Sequence, residues 1–228
     1  MINNTFDKGY RELGIRAQRM YPNEVMISFL AEQGYLFSDM KQKIRILELG
    51  CGSGANLWML AKEGFDVYGI DASAAGLEVA QSHLKTKWGV SAHLQVGLFD
   101  DIPFEDNMFD VVIDVVSLQH LDLETSKSAL KEIFRVLKTN GKFFSYRLSD
   151  HSVMYLNSDG NAIDSATVDE IANTCMPLNH NGVISFWGPQ CVREQYELAK
   201  LEVLGIERYN RTYNGGLYKV GCIMKLNS

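Results

Sequence analysis

The sequence predicts an α/β protein in which a mostly parallel sheet is covered by helices on both faces. Short apolar runs of strand length alternate along the chain with segments whose apolar residues recur at helical spacing. The last two predicted strands are joined by Asn214-Gly215-Gly216, which is typical of a hairpin and predicts an antiparallel strand at the end. At 228 residues, 46% hydrophobic and 22% charged, the composition fits one domain, predicted over residues 1–228.

The elements begin with an N-terminal segment, residues 1–42, which we expect to form a cap. Its start shows no clear periodicity, and Pro22 then opens a helix predicted over residues 22–37. The runs that follow are apolar enough for buried parallel strands, and Gly64 and Gly141 end helices between them. Strands are predicted at residues 43–49, 66–71, 93–96, 109–116 and 142–148, and helices at 55–63, 73–88 and 125–138.

The alternation stops at residues 149–189, a long polar and Asn-rich stretch with one short helix predicted at residues 166–175. Insertions of this length in compact domains usually cover or bind a ligand, so we expect this insert to lie on the substrate side. A helix over residues 190–204 and strands at 206–213 and 217–226 complete the predicted fold.

Charge and cysteine usage exclude several function classes. The formal net charge is −6, and no dense run of Lys and Arg offers a surface for nucleic acid. No apolar run is long enough to span a membrane, and the polar N-terminus does not resemble a signal peptide. The cysteines lack metal-ligand spacing and suit a reducing compartment, so we expect a cytoplasmic protein without a metal site. They are Cys51, Cys175, Cys191 and Cys222.

A glycine-rich turn, Gly50-Cys51-Gly52-Ser53-Gly54, lies between the first predicted strand and its helix. Glycine permits a tight turn and a close approach by a ligand, and the helix start offers free N–H groups. Its spacing is neither that of a dinucleotide fold nor that of a P-loop, and it carries no Lys or Arg to hold a phosphate. The turn therefore predicts a nucleoside ligand without phosphates. Asp71, at the end of the second strand, can accept ribose hydroxyls, and Glu48 suits a positively charged ligand.

Five segments together resemble the class I S-adenosylmethionine-dependent methyltransferases, in particular their methyltransferase domain 11/25-like members. The resemblance covers about residues 46–148 and extends loosely to the terminal hairpin. It implies a Rossmann-like, seven-stranded sheet whose last strand is antiparallel, with S-adenosylmethionine as cofactor and S-adenosylhomocysteine as product. The segments are Ile46–Gly54, Val67–Asp71, Asp101–Asp110, Leu118–Leu121 and Phe134–Gly141.

The resemblance also implies roles for individual residues in binding the cofactor. Asp71 would bind the ribose, with Ala72 beside the adenine, and Val116 would lie near the sulfonium. The family usually has an acid after the third strand, where this chain has Leu98, so that Asp100 or the Phe99 backbone is an alternative contact. The methionine end would be shaped by Glu48, Gly50, Cys51 and Gly52, and from the N-terminal segment Tyr10 and Arg19 are candidates to close over the cofactor.

Candidates for catalysis and acceptor binding follow the fourth and fifth predicted strands. His120 is the first candidate for a general base, since a histidine exchanges protons near neutral pH, although it could instead orient its loop. His151 is the second candidate. Tyr146 and Arg147 end the fifth strand, where Arg147 could bind an anionic acceptor or form a salt bridge. Trp187 in the insert could stack on an acceptor ring or pack the insert.

The function predicted is methyl transfer by in-line displacement to an O- or N-nucleophile of a small molecule, by a monomer or homodimer. A non-catalytic S-adenosylmethionine-binding regulator and a protein methyltransferase remain alternatives. Two other classes are disfavoured. DNA-amine methyltransferases carry an Asn/Asp-Pro-Pro-Tyr/Phe motif that is absent after the fourth strand, and nicotinamide dehydrogenases use a different glycine spacing.

Overall fold

A computed structural model describes residues 4–171, 182–213 and 216–227. The helices, in chain order, are α1 Asn4–Leu13, α2 Glu24–Glu32, α3 Leu57–Lys62, α4 Ala74–His83, α5 Leu123–Val136, α6 Val153–Leu156 and α7 Pro189–Leu198. The strands are β1 Arg45–Leu49, β2 Asp66–Asp71, β3 His93–Val96, β4 Phe109–Val115, β5 Leu137–Tyr146, β6 Asn161–Ala162, β7 Thr167–Asp169, β8 Ile184–Ser185, β9 Glu202–Tyr213 and β10 Gly216–Asn227.

The central sheet is parallel and has the strand order β3-β2-β1-β4-β5. Leu47 in β1 pairs in register with Tyr68 of β2 on one side and with Val112 of β4 on the other. The chain proceeds outward from β1 to β3, and then crosses back to place β4 on the other side of β1. This reversal creates a crevice at the carboxyl ends of β1 and β4, which is where α/β sheets bind ligands.

Two apolar cores lie on the two faces of this sheet because β1 and β4 present apolar side chains in both directions. On one face, Phe143 of β5 packs with Tyr196 of α7, their ring centroids 5.7 Å apart. On the other, Phe144 packs against Phe29 of α2 at 5.0 Å. Neighbouring residues of β5 thus point to opposite cores, which fixes the register of the strand. Helices cover both faces of the sheet, as predicted.

The terminal hairpin is confirmed, since β9 and β10 pair antiparallel. These two strands form a separate two-stranded sheet, although the backbone of β10 runs beside β5. The described residues therefore form five parallel strands and a separate antiparallel pair, instead of the continuous seven-stranded sheet that the resemblance implied.

The N-terminal segment and the insert differ from the predictions. The segment contains α1, which the weak periodicity did not reveal. In the insert, the helix predicted at residues 166–175 is wrong for residues 167–169, which form β7 and pair with β6 and β8 in a small antiparallel sheet. Residues 172–175 of that prediction lie outside the described residues. Met154, Val168 and Phe186 form the insert's own apolar cluster with their neighbours.

Two predicted boundaries that follow the insert also differ, the end of a helix and the start of the next strand. The helix predicted over residues 190–204 ends at Leu198, because β9 begins at Glu202 and the backbone of Lys200 turns through a φ of +64°. Among the helices that the structure describes, none combines the length and apolar character that a membrane crossing requires.

Candidate functional site

The glycine turn after β1 is shaped by its contact with the turn after β4. Gly50, Gly52 and Gly54 have φ values of +65°, +49° and +80°, a region that favours glycine. A Cβ atom on Gly50 would overlap Ser117 Oγ and would lie 3.2 Å from Phe99 Cζ. The Gly50 position must therefore lack a side chain so that the turns following β1 and β4 can meet.

Asp71 joins the end of β2 to the same glycine turn. Its carboxylate accepts hydrogen bonds from the backbone N–H groups of Gly52 and Ser73, each at 2.8 Å. Burial raises the pKa of Asp71, while these two N–H groups act in the opposite direction. The sequence predicted Asp71 at this edge, and the structure brings it into direct contact with the turn, with Ala72 next to it in the chain.

Glu48 lies beneath the turn as a buried carboxyl group with one oxygen unused. Asn56 Nδ2 donates to Glu48 Oε1 at 2.5 Å, and Asn56 Oδ1 accepts from the backbone N–H of Asn23 at 2.9 Å. Oε2 of Glu48 has no hydrogen-bond partner among the described residues. Burial raises the pKa of Glu48 to about 8, although the nearby Arg19 guanidinium and the Asn56 hydrogen bond lower it. A positive charge beside Oε2 would favour the ionised form.

The turn after β4 holds its backbone in an unusual conformation. Val116 has a φ of +60°, which is rare for a β-branched residue and strained. Asp114 stabilises this turn by accepting hydrogen bonds from the N–H groups of Ser117 at 2.9 Å and Leu118 at 3.0 Å. Its other oxygen accepts from Ser145 Oγ at 2.7 Å. The next residue, Ser117, bonds to the carbonyl of Gly50 in the glycine turn. A position of Val116 near the sulfonium stays a prediction.

Helix α1 covers the glycine turn from the N-terminal segment. A Cβ on Gly52 would overlap Tyr10 Oη, so this hydroxyl rests directly on the turn. Asp7 accepts hydrogen bonds from Ser73 Oγ at 2.8 Å and from the N–H of Ala75 at 3.2 Å, which ties α1 to the start of α4. Tyr10 is buried, whereas the other predicted residue, Arg19, is exposed, and its charge lowers the pKa of both Glu48 and Tyr10.

His120 is enclosed between the N-terminal helix and the insert. Its Nδ1 lies 3.3 Å from the carbonyl oxygen of Val183, and the ring of Phe6 meets the imidazole edge at a centroid distance of 5.0 Å. A carbonyl only accepts, so Nδ1 carries the hydrogen and Nε2 carries the lone pair. Burial lowers the pKa of His120 to about 4. The imidazole is therefore neutral at pH 7.

Of the remaining predicted cofactor residues, Phe99 and Cys51 lie at the glycine turn and Leu98 does not. Phe99 lies beside Gly50, and Cys51 is buried under the turn, where burial raises the pKa of its thiol. Leu98 is 46% exposed and its backbone pairs with Asp101, so its side chain does not join the other residues. A cofactor contact by Leu98 stays a prediction.

The predicted acceptor-side residues separate into three environments. Tyr146 is buried in the core on the α2 side of the sheet. The guanidinium carbon of Arg147 lies 3.8 Å from the ring centroid of Trp187, and both side chains are fully buried. His151 is exposed, with Nδ1 2.7 Å from Oδ1 of Asp150. The two histidines predicted as bases therefore lie in different environments, because His120 is enclosed and His151 is exposed.

Sequence reasoning missed Asn56, Gln18 and Tyr196, whose contacts cross between elements. Gln18 Oε1 accepts from the N–H and Oγ of Ser53, each at 3.3 Å. Only Asn56 had a local signal, since it follows the glycine turn at the start of α3. In the part of the chain that the structure describes, no group of three His, Cys, Asp or Glu side chains could hold a metal ion.

A parallel sheet with a glycine turn after β1 and a carboxylate at the end of β2 defines a Rossmann-like, nucleoside-binding α/β protein. Comparison with known proteins sharpens this class. Residues 46–141 match the family model described as a methyltransferase domain. An uncharacterized methyltransferase of Bacillus subtilis, YcgJ, is 27% identical over 134 residues, which is 58% of this chain and 51% of that protein. The chain spans about half the length of the curated relatives it matches.

Two solved structures share the fold across nearly the whole chain. A SAM-dependent methyltransferase from Methanosarcina mazei has a TM-score of 0.69 at 19% identity, covering 91% of this chain and 98% of the other. The 1,6-didemethyltoxoflavin-N1-methyltransferase of Burkholderia thailandensis, which holds that compound and S-adenosylhomocysteine, has a TM-score of 0.70 at 14% identity, covering 100% and 88%. The chain is therefore similar to S-adenosylmethionine-dependent methyltransferases, in sequence over residues 46–141 and in fold over nearly its whole length.

Replacement of Gly50 tests the contact between the two turns. Gly50→Ala should lower the free energy of unfolding by about 3 kcal/mol, from left-handed backbone strain and the clash with Ser117. Gly64→Ala is the matched control, since Gly64 has a φ of +93° and open space around its Cβ position. Gly64→Ala should lower the free energy of unfolding, measured in urea, by only about 1 kcal/mol. Equal losses for the two variants would contradict the assigned contact.

The buried carboxyl group of Glu48 predicts a pH dependence of stability. The folded pKa is raised above the unfolded one, so the folded state binds more protons and stability falls as pH rises towards 8. Glu48 should contribute a slope of up to about 1.4 kcal/mol per pH unit, and Glu48→Gln should remove it. Urea unfolding from pH 5 to 8 measures this difference, with the exposed Glu124→Gln as control. Parallel pH profiles for wild type and Glu48→Gln would contradict it.

Proposed function

We propose that this protein is an S-adenosylmethionine-dependent methyltransferase that acts on a small-molecule acceptor. The observation that carries the proposal is the glycine turn flanked by two carboxyl groups, those of Glu48 and Asp71. A pyrophosphate would be repelled there, whereas a cationic nucleoside derivative is favoured. The Burkholderia relative, which holds S-adenosylhomocysteine beside a small molecule, supports the same assignment.

The residues present fit this cofactor in their chemistry. Asp71 oxygens that already accept one N–H each retain a second lone pair for ribose hydroxyls. The unused Oε2 of Glu48 would take up a negative charge beside the cationic amino-acid end, because a neighbouring cation favours the ionised form of the carboxyl group. Ala72, Phe99 and Val116 are proposed to line the site between these two carboxyl groups. The further proposed contacts are Gly50, Cys51, Gly52, Tyr10, Arg19 and Leu98.

When bound, S-adenosylmethionine supplies a methyl group on a positively charged sulfur, which becomes a neutral thioether as the acceptor takes the methyl group. The chain has to align the acceptor nucleophile with that methyl group and to exclude water. Helix α1 serves the second task, since Tyr10 covers the glycine turn. His120 is proposed to accept the proton of the nucleophile at Nε2, with Nδ1 anchored on Val183.

The charge of the chain supports a small acceptor over nucleic acid, since a net charge of −6 disfavours a phosphate backbone. A cytoplasmic monomer or homodimer remains the proposed form. A turnover assay distinguishes an enzyme from a non-catalytic binder, because the binder would take up S-adenosylmethionine without forming S-adenosylhomocysteine with any acceptor.

Titration calorimetry with S-adenosylmethionine tests the cofactor assignment. Wild-type protein should bind at micromolar concentrations, and Asp71→Asn should weaken binding at least about tenfold by removing a charged acceptor. Asp66→Asn is the matched control. Asp66 begins the same strand at the opposite edge of the sheet, where it lies 3.4 Å from Arg45, and its change should leave affinity unaltered. Absence of binding at tens of micromolar would overturn the proposed function.

The pH dependence of turnover distinguishes the two candidate bases. Burial lowers the pKa of His120 to about 4. An enzyme that uses His120 as its base should therefore keep its kcat constant when the pH falls from 8 to about 6, across the ordinary pKa of histidine. His120→Asn should lower kcat about a hundredfold or more while the KM for S-adenosylmethionine stays within about twofold. The exposed His151→Asn should leave kcat unchanged. The reverse pattern would assign the base to His151.

A further inference from the structure

We infer that the Arg147 cluster, formed by Arg147, Trp187 and Tyr196, is a subsite for a carboxylate group of the methyl acceptor. The inference rests on the proposed function and specifies its substrate class. Arg147 and Trp187 were predicted as acceptor residues, and the structure adds Tyr196 from α7. The three side chains form one packed unit. The guanidinium lies 3.8 Å from the Trp187 ring centroid, and the Trp187 and Tyr196 rings meet edge to face at 6.3 Å.

The first argument is the burial of a charge that lacks an ion-pair partner. Arg147 is 1% exposed, and among the described residues no carboxylate forms a salt bridge with its guanidinium. The charge of Arg147 lowers the pKa of Asp114, but the oxygens of Asp114 already accept from Ser117, Leu118 and Ser145. A buried guanidinium left in this state is costly, since buried charges are normally paired and hydrogen-bonded.

The second argument is a set of unused donors in the same cluster. Nε of Arg147 and Nε1 of Trp187 are both buried without a hydrogen-bond partner among the described residues. Burial raises the pKa of Tyr196, while the charge of Arg147 and hydrogen bonds with Ser145 and Arg147 lower it, so the hydroxyl and the guanidinium are neighbours. Most buried polar groups in proteins have a partner, and two unmet donors in one packed cluster need an explanation. Both are donors, and an anionic oxygen group would accept from them.

The shape of the guanidinium selects a carboxylate. Nη2 donates a hydrogen to Ser185 Oγ at 2.6 Å, and Nε has no hydrogen-bond partner among the described residues. The Nε and Nη2 edge of a guanidinium is the one that binds a carboxylate through both oxygens, and the unused Nε–H keeps this edge able to bind one. The Trp187 ring beneath the guanidinium holds it flat, so the edge is oriented before a ligand arrives.

The position of the cluster suits the acceptor side of the proposed site. Arg147 directly follows β5, and the end of β5 is bonded to the strained turn, where the N–H of Val116 donates to the carbonyl of Tyr146 at 2.7 Å. Ser185 also donates to the carbonyl of Gln119 at 3.2 Å, one residue before His120. An acceptor held by its carboxylate at Arg147 would therefore extend towards the proposed base.

Access to the cluster depends on the insert. Ser185 and Trp187 belong to its last part, and Trp187 is fully buried against Arg147. The carboxylate would enter when this part of the insert moves away from the end of β5. The cluster is thus closed in the structure, and the proposal requires it to open for the acceptor.

Thermal unfolding and titration with matched probes test the subsite. Benzoate and 4-hydroxybenzoate, at millimolar concentration and constant ionic strength, should raise the Tm, whereas benzamide and 4-hydroxybenzamide should not. Tyr196→Phe removes the hydroxyl that lies beside the guanidinium and keeps the ring, so carboxylate affinity should fall about tenfold. Arg147→Lys should abolish the difference between acid and amide.

Ser126→Ala is the control, because Ser126 Oγ on α5 is a buried hydroxyl without a described partner and lies outside the cluster. It should leave carboxylate binding unchanged. Equal protection by acids and amides, or equal effects of Tyr196→Phe and Ser126→Ala, would overturn the subsite. The probes are used with and without S-adenosylhomocysteine. Carboxylate binding without any S-adenosylhomocysteine binding would uphold the subsite and refute the methyltransferase proposal.

Discussion

The close approach of the turns after β1 and β4 is the contact on which the site depends. Ser117 Oγ occupies the place that a Cβ of Gly50 would take, and the same hydroxyl lies 3.3 Å from the carbonyl oxygen of Gly50, to which it donates. Asp114 holds the second turn through buried hydrogen bonds, and this offsets the positive φ of Val116. The crevice between the two strands is therefore rigid before any ligand binds, which lowers the entropic cost of binding.

Helix α1 belongs to the site because its hydrogen bonds attach it to residues at the end of β2 and the start of α4. Asp7 bonds to Ser73 and Ala75 at the start of α4, and Asp71 bonds to the N–H of Ser73 from the other side. The end of β2, the glycine turn and α1 are thus coupled through a few hydrogen bonds. Few apolar contacts hold α1 in place, since Tyr10 is its one buried apolar residue among those whose burial is described. A helix held in this way opens more readily than the core.

Local signals made most of the sheet predictable, and long-range contacts explain what the sequence did not reveal. The bounds of β2 and β3 agree with the prediction because apolar runs end there in Asp71 and Gly97. The glycine turn and its carboxylates were also readable, since they are close in sequence. Helix α1 was missed because a polar anchor, Asp7, holds it. Strand β7 exists through its pairing with β8, and the contact of Arg147 with Trp187 spans nearly the whole insert, so neither leaves a periodic pattern nearby.

The two ends of the proposed site carry a buried carboxyl group and a buried guanidinium, each with an unmet hydrogen-bonding capacity. On the cofactor side this is Oε2 of Glu48, and on the acceptor side it is Nε of Arg147. Such groups reduce the stability of the empty protein, because each was removed from water without full compensation. A positively charged methyl donor and an anionic acceptor would satisfy one each. The unpaired guanidinium that destabilises the empty protein would thus make it prefer anionic acceptors, since a neutral acceptor leaves the guanidinium unpaired.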